Sequence, residues 1–302
     1  MTQNHMKRIV IAGAGQMGLA LAQLMNPNES LFVGFAENDS VKWTMLDGAY
    51  PDGDTLYPRP YVFSVETAVE LNPDQIIIGI TGAIRGKEIE EQLKNLGYKG
   101  AVTFADDLKG IFDIRGRSVQ LILDSIREGV PGVIAELGVF RGDLAWPLND
   151  AMPDRMLYLF DTFEGFDKKD VDIEKSLFTS VAKPGDFGET TEELVLSRMN
   201  YPEKCIVRKG HFPETSAGLG NVKFAFVSID ADLYAPTLAG MEFFYPRMSE
   251  GGVIVIHDYE SIQFEGVKRA VADYEKKLVA AGQPALKMVP LADLHGTCAI
   301  VK

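Results

Sequence analysis

Short apolar runs alternate along this chain with longer stretches of helical spacing. That alternation most narrows the fold, because parallel strands need a crossover helix between them, so repeated strand–helix units build mostly parallel sheets covered on both faces. Two of the strand-to-helix joints carry glycines, IAGAGQMG at 11–18 and AELGVFRG at 135–142. The expected fold class is α/β, with two doubly wound, Rossmann-like sheets.

In the first third, strands are expected at Arg8–Ala12, Leu31–Ala36, Gln75–Ile80 and Ala101–Phe104, with helices at Gly18–Met25, Val65–Leu71 and Lys87–Leu96. Asp47–Tyr61, rich in turn formers, reads as a loop. The pattern breaks around Ala105–Gly116, and Ser118–Gly129 reads as an amphipathic helix leading into a new sheet. The domain boundary is placed there, giving domains at 1–110 and 111–302. The second series has strands at Gly132–Leu137, Met156–Phe160, Cys205–Lys209, Lys223–Ile229 and Val253–His257, closed by a pair at Ala285–Leu291 and Gly296–Lys302. The polar insert Asp167–Glu193 reads as a long loop of the kind that serves as a lid.

Composition removes several function classes. The formal charge of -13 opposes phosphate backbones and anionic lipid, so neither nucleic acid nor membrane is an expected partner. No apolar stretch reaches the ~20 residues of a membrane helix, and the chain enters a strand almost at once rather than a signal-peptide core. Cys205 and Cys298 lack metal or redox spacing and read as buried small hydrophobes in a reducing compartment. A cytoplasmic location follows, and a homo-oligomer is compatible with it.

In an open parallel sheet, ligands lie beyond the carboxyl ends of the strands, where strand order reverses. The residues just after each strand of the second series therefore matter most. Glu136, Gly138 and Gly142 form a turn that lets backbone approach a ligand, and Asp161 stands where an acid accepts from a ribose diol. An acid before the turn opposes a pyrophosphate but suits an amino-bearing ligand such as S-adenosylmethionine. Asp230 and Asp232 follow the fourth strand, and His257 and Asp258 the fifth. Acids and an imidazole converging there would repel, shift their pKa values or share a hard cation such as Mg²⁺.

The segments AELGVFRGDLA, LYLFDTFEGF, KGHFPET, SIDADLYAPT and EGGVIVIHDY resemble, in order and spacing, the motifs of the macrocin O-methyltransferase family over roughly Ser118–Lys302. The resemblance implies a class I methyltransferase fold in the second domain, S-adenosylmethionine as cofactor, and methylation of a sugar hydroxyl on a small glycosylated acceptor. It implies Glu136, Gly138 and Gly142 at the methionine end, Asp161 at the ribose, and His211 and Phe212 beside the adenine. It also implies Mg²⁺ on Asp230 and two consecutive acids, which fall here on His257 and Asp258. The histidine departs from the pattern: it weakens the Mg²⁺ site, shifts its preference, or replaces the metal by general-base catalysis. Asp230 and His257 are the expected catalytic residues. Phe163, Phe166, Tyr234 and Tyr259 are candidates to line the acceptor site.

The first glycine turn keeps Gly13, Gly15 and Gly18, and Glu37 follows the next strand as a ribose-binding acid would. Its ligand is a nucleotide, a nucleotide sugar, or none. The competing reading is an NAD(P)-dependent oxidoreductase or nucleotide sensor centred on this fingerprint, although no proton-transfer group is identifiable near it.

Overall fold

The computed structural model describes residues 6–43, 61–80, 82–109, 113–261, 263–293 and 296–302. They fall into two compact units, Met1–Asp113 and Ile114–Lys302.

The first unit runs β1 (Lys7–Ala12), α1 (Gln16–Leu24), β2 (Ser30–Ala36), β3 (Val62–Phe63), α2 (Val65–Glu70), β4 (Gln75–Ile78), α3 (Ala83–Asn95), β5 (Ala101–Phe104) and α4 (Ala105–Lys109). Its sheet is parallel throughout, in the order β3-β2-β1-β4-β5. Consecutive residues of β1 serve opposite faces, Val10 and Ala12 joining one apolar cluster and Ile11 the other. The short β3 has no counterpart in the sequence reading, because two residues carry no period. The loop expected at Asp47–Tyr61 lies, but for Tyr61, outside the described residues.

The second unit runs α5 (Ile114–Ile126), β6 (Val133–Leu137), α6 (Ala145–Ala151), β7 (Leu157–Asp161), α7 (Lys168–Leu177), α8 (Glu192–Arg198), β8 (Cys205–Lys209), β9 (Phe224–Ile229), α9 (Tyr234–Phe244), β10 (Met248–Ile256), α10 (Glu265–Ala280), β11 (Lys287–Pro290) and β12 (Cys298–Val301). The order is β11-β12-β10-β9-β6-β7-β8, parallel from β10 to β8, with β11 and β12 antiparallel at one edge. All of β9 is buried. Its Phe224, Val227 and Ile229 enter one core cluster, and Ala225 and Phe226 enter the other. The order reverses between β6 and β9, which puts the expected crevice at their carboxyl ends.

Two expectations need correction. The insert at Asp167–Glu193 is not a bare loop. The Asp167 side chain caps α7 by accepting from the Lys169 N–H at 2.7 Å, and the helix buries Asp170, Val171 and Glu174. Spacing of three and four supplied that buried face, but the polar types at two of its positions hid it. Cys205 is only half-buried, whereas Cys298 is buried.

The glycines of the first turn are not equivalent. A Cβ on Gly18 would stand 1.9 Å from the Gly13 carbonyl oxygen, whereas one on Gly15 would meet nothing within 4 Å. Gly18→Ala should therefore destabilise the first unit by about 1–3 kcal/mol, as overpacking does. Gly15→Ala should stay within about 0.5 kcal/mol of wild type. Urea unfolding of the full chain carrying Trp146→Phe, so that fluorescence reports Trp43 in the first unit, checks both.

Candidate active site

The site forms where β6 and β9 part. Gly138, the first residue after β6, has φ +85°, and a Cβ there would lie 2.0 Å from the Asp230 carbonyl oxygen. The Gly138 N–H donates to Phe160 and the Asp230 N–H to Leu137, at 2.9 and 2.8 Å. Only glycine combines that φ with so close a backbone approach. Phe140, Phe187, Asp232 and Asp258 also hold positive φ and line the same cavity. Strained non-glycine backbone gathers at functional sites, where the surrounding structure over-determines it.

The cavity has a volume of about 340 Å³, within the range of small-molecule sites. Glu136, Gly138, Asp161, His211, Phe212, Asp230, His257 and Asp258 all line it. Gly142, at φ +79°, does not line it, and a Cβ there would meet Val195 and Met199 at 3.2 and 3.4 Å.

Glu136 is 2% exposed, and its Oε2 has no hydrogen-bond partner among the described residues. Burial pushes its carboxyl well above the usual range, against the pull of Arg115. A buried acceptor left open in a cavity is a place for a ligand's donor. Asp161 has a different occupation: Oδ2 accepts from the Val139 and Phe140 N–H groups at 2.7 and 2.8 Å, and Oδ1 from Phe163 at 2.7 Å. Its carboxylate ties the glycine turn to β7 and keeps limited further acceptor capacity.

At the ends of β9 and β10, one ligand atom from each of Asp230, His257 and Asp258 lies within 4.8 Å of the others. His257 Nε2 is 4.0 Å from Asp230 Oδ1 and 3.9 Å from Asp258 Oδ2, while Nδ1 is 3.3 Å from the Thr297 hydroxyl. Asp232 stands beside them, its carboxyl pushed well up by burial and by the neighbouring Asp230 and Asp258. Arg115, in the first turn of α5, reaches in from outside every strand end. Its Nη2 is 2.9 Å from Asp230 Oδ2.

This set suits Mg²⁺ poorly. A hard ion prefers oxygen, whereas one of three donors is an imidazole. The guanidinium that already pairs with Asp230 would also repel a divalent cation. Arg115 was not singled out from sequence because nothing in IRGRSVQ separates it from Arg117, which hydrogen-bonds Gln120 on the helix surface.

The other predicted residues take varied places. His211 bridges Asp170 of α7 at 2.9 Å through Nε2 and Glu214 at 2.7 Å through Nδ1. Phe212 is mostly core, in ring contact with Phe160, Phe243 and Phe244. Phe166 lines the cavity and meets Phe187 of the insert and Phe264. Three proposed lining residues are corrected. Phe163 is buried in a core cluster, Tyr234 turns its hydroxyl to Asp273 at 3.3 Å, and the Tyr259 ring lies under Lys268. Aromatic side chains near strand ends are drawn into the core by their area unless a polar tip finds a partner elsewhere.

In the first unit, Glu37 accepts from the Ala14 N–H at 3.2 Å, from Asn38 and Asp39 at 3.0 and 3.3 Å, and from Lys42 at 3.2 Å. Both of its oxygens are engaged within its own unit.

Burial disfavours a charged His211, but hydrogen bonds to Glu214 and Asp170 outweigh it and raise the imidazole above its ordinary value. The raised group's contribution to holding α7 is complete below about pH 6.5 and is lost as pH rises through the folded value. Hydrogen-exchange protection of α7 amides should fall over that rise and stay level in His211→Gln.

Residues 115–283 match the family described as macrocin-O-methyltransferase (TylF). The chain is 26% identical over 185 residues to 8-demethyl-8-(2,3-dimethoxy-alpha-L-rhamnosyl)-tetracenomycin-C 4'-O-methyltransferase of Streptomyces olivaceus, covering 57% of this chain and 66% of that one. It is 26% identical over 147 residues to mycinamicin III 3''-O-methyltransferase of Micromonospora griseorubida, covering 45% and 58%. The chain thus spans less than two thirds of the length of either relative. A crystal structure of a calicheamicin methyltransferase aligns with a TM-score of 0.48 at 19% identity, over 83% of this chain and 99% of that one. The family match takes in more than half of the chain and every strand from β6 to β10, so this protein belongs to the macrocin-O-methyltransferase family.

Proposed function

We propose that the chain is an S-adenosylmethionine-dependent O-methyltransferase that acts on a sugar hydroxyl of a small glycosylated or nucleotide-linked acceptor. The tetracenomycin and mycinamicin relatives are named as O-methyltransferases, which supports this reading, and we assign natural-product or polysaccharide biosynthesis as its setting. The observation that carries the reading is the open Oε2 of buried Glu136 in a cavity at the β6/β9 reversal. The cytoplasm is the compartment we assign, and no described helix is long and apolar enough to cross a membrane.

S-adenosylmethionine supplies, when bound, an electrophilic methyl group on a sulfonium. Glu136 accepts from the amino group of its methionine end, and the Gly138 turn lets backbone close over it. Asp161 holds that turn in shape and turns its remaining lone pair to the ribose. His211 and the Phe212 wall border the base. Asp230 orients the acceptor hydroxyl, and His257, with Nε2 facing Asp230 and Asp258, takes its proton. Holding acceptor oxygen and methyl carbon in line does the remaining work. No step is assigned to Mg²⁺.

The insert carrying α7 and Phe187 covers the acceptor side and sets which hydroxyl is presented. The first unit keeps a nucleotide or nucleotide sugar as its candidate ligand, with the first glycine turn as the place of contact.

Two substitutions separate the roles. Glu136→Gln should weaken S-adenosylmethionine binding by about tenfold to a hundredfold, the worth of a hydrogen bond to a charged group. Calorimetric titration of the full chain reads this, and unchanged affinity would remove Glu136 from the cofactor site. His257→Asn should lower methyl transfer by about 10²–10⁴ with cofactor affinity unaltered. Titrations of NAD⁺ and of a nucleotide sugar under the same conditions test the first unit. Binding of NAD⁺ without S-adenosylmethionine would overturn the reading.

A further inference from the structure

We propose that the guanidinium of Arg115 takes the place of a divalent cation at the β6/β9 reversal, so that this chain's active site works without metal. The inference rests on the methyltransferase reading above and concerns the source of positive charge at the acceptor oxygen.

Three observations converge. Arg115 lines the cavity, and its Nη2 stands 2.9 Å from Asp230 Oδ2, with both side chains four-fifths removed from solvent. Among the described residues lining the cavity, it is the sole lysine or arginine. Next, the donor trio has been altered in the matching direction. Asp230, His257 and Asp258 carry at most two negative charges, and with Arg115 the group is left at minus one, which holds a dication less well than three carboxylates would. Finally, the guanidinium has donors to spare: Nε and Nη2 are both buried without a well-aligned hydrogen bond among the described residues, Nη2 being held to Asp230 by the ion pair.

A guanidinium cannot lose its proton in a protein and presents donors in a rigid fork. Fixed beside the acceptor oxygen, it stabilises charge that develops there, as preorganised donors do elsewhere, and needs no ion to be recruited. The step balances without a metal. The bond from acceptor oxygen to methyl carbon forms, the carbon–sulfur bond breaks with its electron pair passing to sulfur, and the hydroxyl proton goes to His257. Asp230 then serves as the anchor that keeps the guanidinium in place.

Mn²⁺ is the probe, because its spin resonance counts free ion directly. Wild-type full-length chain should show no saturable Mn²⁺ site. Arg115→Gln should bind one Mn²⁺ at least about tenfold more tightly, and adding Asp230→Asn to that variant should abolish it. Affinity for S-adenosylmethionine in wild type should be the same with and without a chelator. One tightly bound Mn²⁺ in wild type, with Arg115→Gln no tighter, would overturn the proposal. Arg115→Lys, which keeps the charge, should resemble wild type, and Mn²⁺ binding to it as tight as to Arg115→Gln would also overturn it. The wild-type titration needs no variant to fold. Absence of any S-adenosylmethionine binding would instead refute the methyltransferase reading, whatever Mn²⁺ does.

Discussion

The close approach of Gly138 to the Asp230 carbonyl is the constraint on which the site depends. With no room for a Cβ between them, the turn after β6 can pass within contact of the turn after β9, and both can stop beside one cavity. Parallel pairing brings β7 and β10 to either side, and Asp161 at the end of β7 and His257 just after β10 follow. Asp161 then locks the turn by accepting from two of its backbone N–H groups, Val139 and Phe140, and its other oxygen accepts from Phe163 in the turn after β7. A larger residue at Gly138 would push the two strand ends apart and disperse every group the proposed chemistry uses.

Electrostatics at this place is a balance among groups that would each be costly alone. Glu136, Asp230, Asp232 and Asp258 crowd a small volume, and burial pushes the carboxyls of Glu136 and Asp232 well above the usual range. Arg115 offsets that cost by pairing with Asp230, and Asp230 in turn makes a largely buried guanidinium tolerable. The wall thus contains its own counter-charge. His211, in the turn after β8, joins that turn to α7 through Asp170 and is held by Glu214 of its own turn, which ties the insert to the site by a bond that responds to pH.

Much of this was legible in the residue order. The alternation of apolar runs located the principal strands of both units to within a few residues, because buried parallel strands read as continuous hydrophobic stretches. Placing chemistry at strand ends located Glu136, Gly138, Asp161, Asp230, His257 and Asp258 at one cavity, since parallel strands release their C-termini on one edge of the sheet. What failed to show was of another kind. Helix α7 was missed because its buried positions include Asp170 and Glu174, whose burial depends on His211 and on the Tyr234 N–H, far along the chain. Phe163 and Phe212 differ in packing, not in type, and packing has no local period.

The sequence by itself determined the alternation that makes two doubly wound sheets, the glycines where backbone must bend or close, and the acids that parallel strands deliver to one edge. Those follow from periodicity and from the geometry of single residues. Only the tertiary structure decided that Arg115 would meet Asp230, that Asp161 would be engaged by its own turn, and that the Glu136 oxygen would remain open. Each depends on which segments strand order makes neighbours and on how many partners burial leaves within reach, and neither quantity is a property of a local stretch of chain.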